Sequence, residues 1–185
     1  MAAKEEYAII LDFLPNGYAS DRRPFHIKTP IAQALGKETL VLLELVPKKD
    51  IFLQPHEPVY IGDGKRDKVH HIAGRIGTSK LTETAKSELN YIIEELVKNN
   101  EVRFVEFYNK AGPINTRMHQ LELLPGIGKR HMLSILEARE EKPFENFEDM
   151  KKRVPLLPDP EKAIIKRVLL ELDGIEKHYL FVRHQ

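Results

Sequence analysis

The stretch Leu123-Leu124-Pro125-Gly126-Ile127-Gly128-Lys129-Arg130 constrains this chain more than any other, because it interrupts two segments of helical apolar spacing. Upstream, Met118, Leu121 and Leu124 share a helical face. Downstream, Met132, Ile135 and Leu136 repeat the period, and Ala138-Arg139 closes it. The spacing predicts a tight hairpin that ends one short helix and starts another. Gly126 and Gly128 permit positive φ and leave no side chain over the main chain, so a ligand can approach closely. The amides of Gly126, Ile127, Gly128 and Lys129 are then expected to point outward at a helix N-terminus, which favours an anion such as phosphate. Lys129 and Arg130 stand beside them. Such a grip holds a nucleic-acid backbone without reading bases. A plain helix-loop-helix corner, whose glycines serve only the turn, fits the same residues.

On the pattern Leu-Pro-Gly-Ile-Gly at 124–128, followed by Ile135-Leu136 and Arg139, the segment Leu121–Arg139 resembles the helix-hairpin-helix motif of DNA- and RNA-handling proteins. Pro143-Phe144 and Phe147-x-Asp149-Met150-x-x-Arg153-Val154 continue the resemblance, as in tandem forms. Asn146 is a candidate N-cap, with Asp149 three residues on. Leu156-Leu157-Pro158-Asp159-Pro160 takes the place of a second hairpin. Asp159 as N-cap and Pro160 as first helical residue predict a helix through Leu172, ended by Asp173-Gly174. The two hairpins differ. Pro158 and Pro160 lack N–H donors, and Asp159 and Glu161 occupy the place of an anion, so the second copy is expected to be structural and the first to bind. Lys162, Lys166 and Arg167 read as surface charge. The resemblance also implies a monovalent cation held by the main-chain carbonyls of Glu122, Leu124 and Ile127; no other cofactor is implied.

Before this lies a β-rich region. Tyr7–Leu14, a segment around Phe25-His26-Ile27, Thr39–Val46, Val59–Ile61, His71–Ile76 and Val102–Tyr108 read as strands. Glu83–Asn99 reads as a helix capped by Thr82, with Leu89, Ile92, Ile93, Leu96 and Val97 as its stripe and Asn99-Asn100 as left-handed closing residues. Short strands with glycine turns and one helix before the last strand predict a small closed barrel, OB-like in order and length. Ala111-Gly112-Pro113 breaks the pattern, and everything after it reads helical. The expected fold class is therefore α+β in two domains: an OB-like barrel with one long helix over 1–112, and an all-α tandem helix-hairpin-helix domain over 113–185. Tyr179–Val182 is expected to form a strand or to pack against the barrel, with Arg183-His184-Gln185 as a tail.

Charge narrows the function. The 185 residues carry a net charge of only +1, so any nucleic-acid contact must rest on a local patch. Lys65, Arg66, Lys68 and Arg75 form one cluster, Arg22, Arg23 and Lys28 a second, Lys129 and Arg130 a third. Glu137, Glu140, Glu141, Glu145, Glu148 and Asp149 make an acidic face that repels phosphate. Without cysteine the chain has no disulfide framework or thiolate metal site. Met1–Glu6 has no signal-peptide pattern and no apolar run is of membrane-spanning length, so a cytoplasmic protein without membrane contact is expected. His70-His71 would diverge on a regular strand, which argues against a metal site there. No phosphate-loop, dinucleotide or nucleophile-elbow motif occurs, and no catalytic residue is expected.

As a whole the chain resembles an archaeal family of uncharacterised proteins that joins an OB-like barrel to a helix-hairpin-helix domain and is thought to bind RNA. The expectation is a non-enzymatic nucleic-acid-binding protein, RNA preferred over DNA. Gly126, Ile127, Gly128, Lys129 and Arg130 would form the grip, extended by Lys65, Arg66, Lys68 and Arg75, with Tyr60 or Phe107 stacking on bases. The alternatives are a protein-interaction adaptor using the helical surface and a DNA-binding repair or recombination accessory protein.

Overall fold

The structure, a computed structural model, describes residues 4–183; Met1–Ala3 of the N-terminal segment and His184-Gln185 of the expected tail lie outside the described residues. It is mixed α+β. The described residues group into two compact units, 4–92 with 171–183, and 93–170.

The first unit is a curled five-stranded antiparallel sheet in the order β4-β1-β2-β3-β5. Its strands are β1 (Tyr7–Leu14), β2 (Ile31–Gly36), β3 (Leu42–Pro47), β4 (Pro58–Tyr60) and β5 (Val69–Arg75). In β1, Ile10 and Leu11 are both buried because the register slips between Ile10 and Asp12, a bulge that puts neighbouring residues on one side. β2 is buried along its whole length. Burial on both faces leaves no alternation, and Ala, Gln and Gly have low strand propensity, so Ile31–Gly36 is silent as a strand in the sequence. Phe25–Ile27, expected to be a strand, is a single 3-10 turn led by Pro24, whose fixed φ suits a turn.

Helix α1 (Glu83–Asn99) begins where Thr82 caps it, its hydroxyl accepting the Ala85 amide at 3.0 Å. A buried polar network ties that start to the sheet. Gln33 accepts the Thr82 amide at 3.0 Å and donates to the Lys80 carbonyl at 2.9 Å, and Thr82 donates to Asp12 at 2.6 Å. Tyr18 donates to Glu44 at 2.6 Å; burial and that carboxylate push its phenol up to about 12. The chain after 170 also belongs to this unit. Buried Glu171 accepts the amides of Leu180, Phe181 and Val182, at 2.5, 2.9 and 3.4 Å, so Tyr179–Val182 packs down as irregular chain rather than as a strand.

The second unit is helical. Val102–Tyr108, expected to be the last strand, lies in α2 (Glu101–Lys110). The segment satisfies two periods. Buried Phe104, Val105 and Tyr108 share a helical face, Val102 is exposed, and Glu106 pairs with Lys110 one turn on. The strand expected to close the barrel is therefore absent, and β4 and β5 stand as the two edges of the sheet. Asn100 has φ −122°, so the turn after α1 is not left-handed. After Ala111-Gly112-Pro113 come a 3-10 turn (Gln120–Leu123), α3 (Lys129–Glu141), α4 (Phe147–Arg153) and α5 (Pro160–Leu172). Tyr108 organises this unit: its buried hydroxyl donates to the Pro160 carbonyl at 2.7 Å and its ring meets the edge of Phe147. Burial pushes its phenol strongly upward. Fully burying a side chain of this size is worth about 2 kcal/mol or more.

Candidate nucleic-acid interface

Leu124 and Ile127 are buried and pin both ends of the glycine turn to the core. Gly126 between them has φ +83°, a region that costs any side chain strain, and a Cβ there would rest on Pro158 at 3.6 Å. The turn closes through the Ile127 amide, which donates to the Leu124 carbonyl at 3.1 Å. Of the four amides expected to face a ligand, that of Ile127 is thus consumed. Those of Gly126, Gly128 and Lys129, together with that of Arg130, find no acceptor among the described residues.

Gly128 is the N-cap of α3 and supplies no side-chain cap, and no acidic residue lies in the first turn. Lys129 and Arg130 are exposed, with no carboxylate partner among the described residues. The start of α3 is therefore a set of open donors at the positive end of a helix, flanked by two cations. The start of α5 is the opposite. Asp159 caps it, one carboxylate oxygen accepting the Glu161 amide at 3.0 Å and the Lys162 amide at 3.1 Å. Its donors are satisfied from within.

The two turns are nonetheless one design. Leu124-Pro125-Gly126-Ile127 recurs thirty positions on as Val154-Pro155-Leu156-Leu157, with a buried first residue and a positive φ at the third, +83° at Gly126 and +59° at Leu156. The second turn thus starts two residues before the expected Leu156–Pro160. Its signal was Val154-Pro155, hidden because leucine is not a residue that favours positive φ.

Two further residues set the turn. His119 caps the 3-10 segment: its Nδ1 accepts the Leu121 amide at 3.1 Å while Glu122 reaches back to the His119 amide at 2.8 Å. Burial, then the Arg139 charge, lower its pKa against the pull of Glu122. Arg167, expected on the surface, is 3 % exposed and donates to the Leu123 carbonyl at 3.3 Å.

The cluster of Lys65, Arg66, Lys68 and Arg75 lies in the sheet unit and is partly committed. Arg66 clamps the Gly62-Asp63-Gly64 turn, donating to the carbonyls of Gly62 at 2.9 Å and Ile61 at 2.8 Å. Lys68 pairs with Glu57, and Arg75 donates to the Arg183 carbonyl at 3.2 Å. Lys65 is exposed. Tyr60 and Phe107 are half-buried, not exposed: Tyr60 accepts the Gly64 amide at 3.0 Å and packs on Tyr7, and Phe107 packs on Tyr108. His70 and His71 converge instead of diverging, their Nδ1 atoms 2.7 Å apart, because the register slips at His70 and the bulge turns both rings to one side. Among the described residues no group of three His, Cys, Asp or Glu side chains gathers for a metal ion.

Three of the six carboxylates of the acidic face are paired: Glu145 with Lys142, Glu148 with Lys151, Asp149 with Arg153. A hollow of about 280 Å³ in the helical unit is lined by Glu94, Glu95, Asp159 and Glu161 against Lys98 and Lys162, the wrong sign for phosphate. No helix among the described residues is long and apolar enough to cross a membrane.

Comparison with known proteins agrees over nearly the whole chain. A family model described as "protein of unknown function (DUF655)" matches residues 4–183. An uncharacterized protein of Methanocaldococcus jannaschii is 46% identical over 181 residues, covering 97% of this chain and 80% of that protein. A crystal structure of a DUF655 protein from Archaeoglobus fulgidus has a TM-score of 0.87 and 44% identity, covering 97% of this chain and all of that one.

Proposed function

We propose that this chain, which belongs to the DUF655 family, is a non-enzymatic nucleic-acid-binding protein that grips a phosphate backbone at the start of α3. The observation that carries the reading is the contrast between two turns of one design: donors open and flanked by Lys129 and Arg130 at α3, donors closed by Asp159 at α5. In this reading the helical unit is a tandem helix-hairpin-helix module with a binding first copy and a structural second copy, and the curled sheet is the OB-like partner. The amides of Gly126, Gly128, Lys129 and Arg130 hold one phosphate group, and the two side chains add charge. RNA stands ahead of DNA on the family resemblance; amides that read phosphate do not distinguish them, so the 2′-hydroxyl must be sensed elsewhere.

The experiment is fluorescence anisotropy with labelled single-stranded RNA, duplex RNA and duplex DNA across a salt series. The reading expects affinity that falls steeply with salt, because bound counterions are released. Absence of binding to every probe at low salt would refute it and favour a protein-docking role for the helical surface.

A further inference from the structure

We propose that His70 and His71 form a two-nitrogen chelate for a divalent transition-metal ion on the open edge of the sheet, a site independent of the function proposed above. Neighbours in a regular strand point to opposite faces, and two rings so placed share no ligand. Here the register slips: Val46 faces His71 and Pro47 faces Val69, so His70 is the extra residue of a bulge. The bulge turns both rings to one side, with centroids 5.0 Å apart and Nδ1 atoms 2.7 Å apart. Two nitrogen lone pairs at that separation repel unless an electrophile is shared between them. A proton on one ring can serve, as N–H···N, and so can a metal ion that draws on both nitrogens.

The geometry favours the metal ion. Two nitrogens bound at about 2.0–2.1 Å to one ion stand about 2.9 Å apart at right angles and about 3.3 Å apart in a tetrahedron. The pair is set near the right-angled bite, which suits tetragonal Cu(II) and Ni(II). The exposed rings have soft χ2 torsions, so a small turn of each aims both lone pairs at one ion. Neither ring has another hydrogen-bond partner among the described residues. β5 is an edge strand and residues 70–73 are exposed, which leaves the remaining coordination positions to solvent. Two lysines close by in the chain or the sheet are turned to other partners: Lys68 pairs with Glu57, and Lys48 donates to the Arg66 carbonyl. Three histidines elsewhere are otherwise engaged. His56 faces the Glu88 carboxylate, and His119 and His131 each commit a ring nitrogen to the main chain.

The test titrates Ni(II) into the untagged full-length protein by calorimetry, beside His70→Gln, His71→Gln and the double variant. Both positions are exposed on an edge, so without metal the variants are expected to melt as the wild type does. Expected is one ion per chain in the wild type, with Kd weakened about a hundredfold or more in either single variant, because losing one nitrogen ends the chelate. Saturating Ni(II) is expected to raise Tm in the wild type and not in the double variant. Mg(II), a hard ion that prefers oxygen, is expected not to compete. Equal Ni(II) binding by wild type and double variant overturns the site, and a single variant that binds as tightly as the wild type overturns the chelate. A wild type that binds no Ni(II) overturns the proposal and leaves the pair as an N–H···N hydrogen bond.

Discussion

Replacing Gly128 with Asp moves folding and binding in opposite directions. Gly128 has an extended backbone, φ −98° and ψ −170°, open to any residue, and a Cβ there meets nothing within 4 Å. A carboxylate at this N-cap accepts amides of the first turn of α3, as Asp159 does for α5. Replacing a glycine cap adds a few tenths of a kcal/mol, and the charge at the helix N-terminus about 0.3–1 kcal/mol. The sum, about 0.5–1 kcal/mol, raises Tm by roughly 1–4 °C in a chain of this size. Bound phosphate loses charge-assisted bonds worth about 1.5–3 kcal/mol each and meets a like charge a few ångströms away. A loss of about 3 kcal/mol is more than a hundredfold in Kd. Thermal melting and anisotropy on duplex RNA at low salt read both effects from one preparation. A complex of unchanged affinity, with Tm raised, would refute phosphate binding at these amides; a lowered Tm would refute the open-cap geometry. Gly126→Pro is the poorer probe, because proline cannot adopt φ +83° and the turn itself would break.

Asp159→Ala should cost about 1 kcal/mol of stability by removing the cap of α5 while leaving nucleic-acid affinity unchanged, as melting and anisotropy together will show. Gln33→Leu strands the Thr82 amide and the Lys80 carbonyl in a buried place, and a loss of about 2–4 kcal/mol is expected in urea unfolding. His119 titrates below its ordinary value in the folded chain, so the unfolded chain takes up its proton first. Its stabilising effect is complete above about pH 6.5 and is lost as pH falls from there toward the lowered native pKa. His119→Asn, which keeps an acceptor at the cap, should flatten the pH dependence of Tm between pH 5 and 7.

Where one period dominated, the sequence was legible. Tyr7–Leu14 is a short apolar run rich in β-formers and forms β1, Glu83–Asn99 carries a clean stripe and forms α1, and Asp159-Pro160 starts α5 as cap chemistry dictates. It misled where a short segment fits two periods, as at 102–108, or where burial on both faces erases alternation, as in β2. The glycine turn was readable because only glycine takes φ +83° without strain; its twin was shifted because leucine conceals the same backbone state. Register slips leave no trace in composition, so the convergence of His70 and His71 could not be foreseen. Long-range bonds are equally silent: nothing near Arg167 in the chain announces that it is buried against the Leu123 carbonyl.

The most direct measurement is a titration of the uniformly nitrogen-15-labelled protein with a short RNA duplex, followed by amide chemical shifts. Phosphate held at the start of α3 predicts the largest shifts at Gly126, Gly128, Lys129 and Arg130, little change at Glu161 and Lys162, whose amides Asp159 occupies, and reversal of the shifts by added salt. Shifts confined to other surfaces, with the α3 amides unmoved at saturation, would contradict the account.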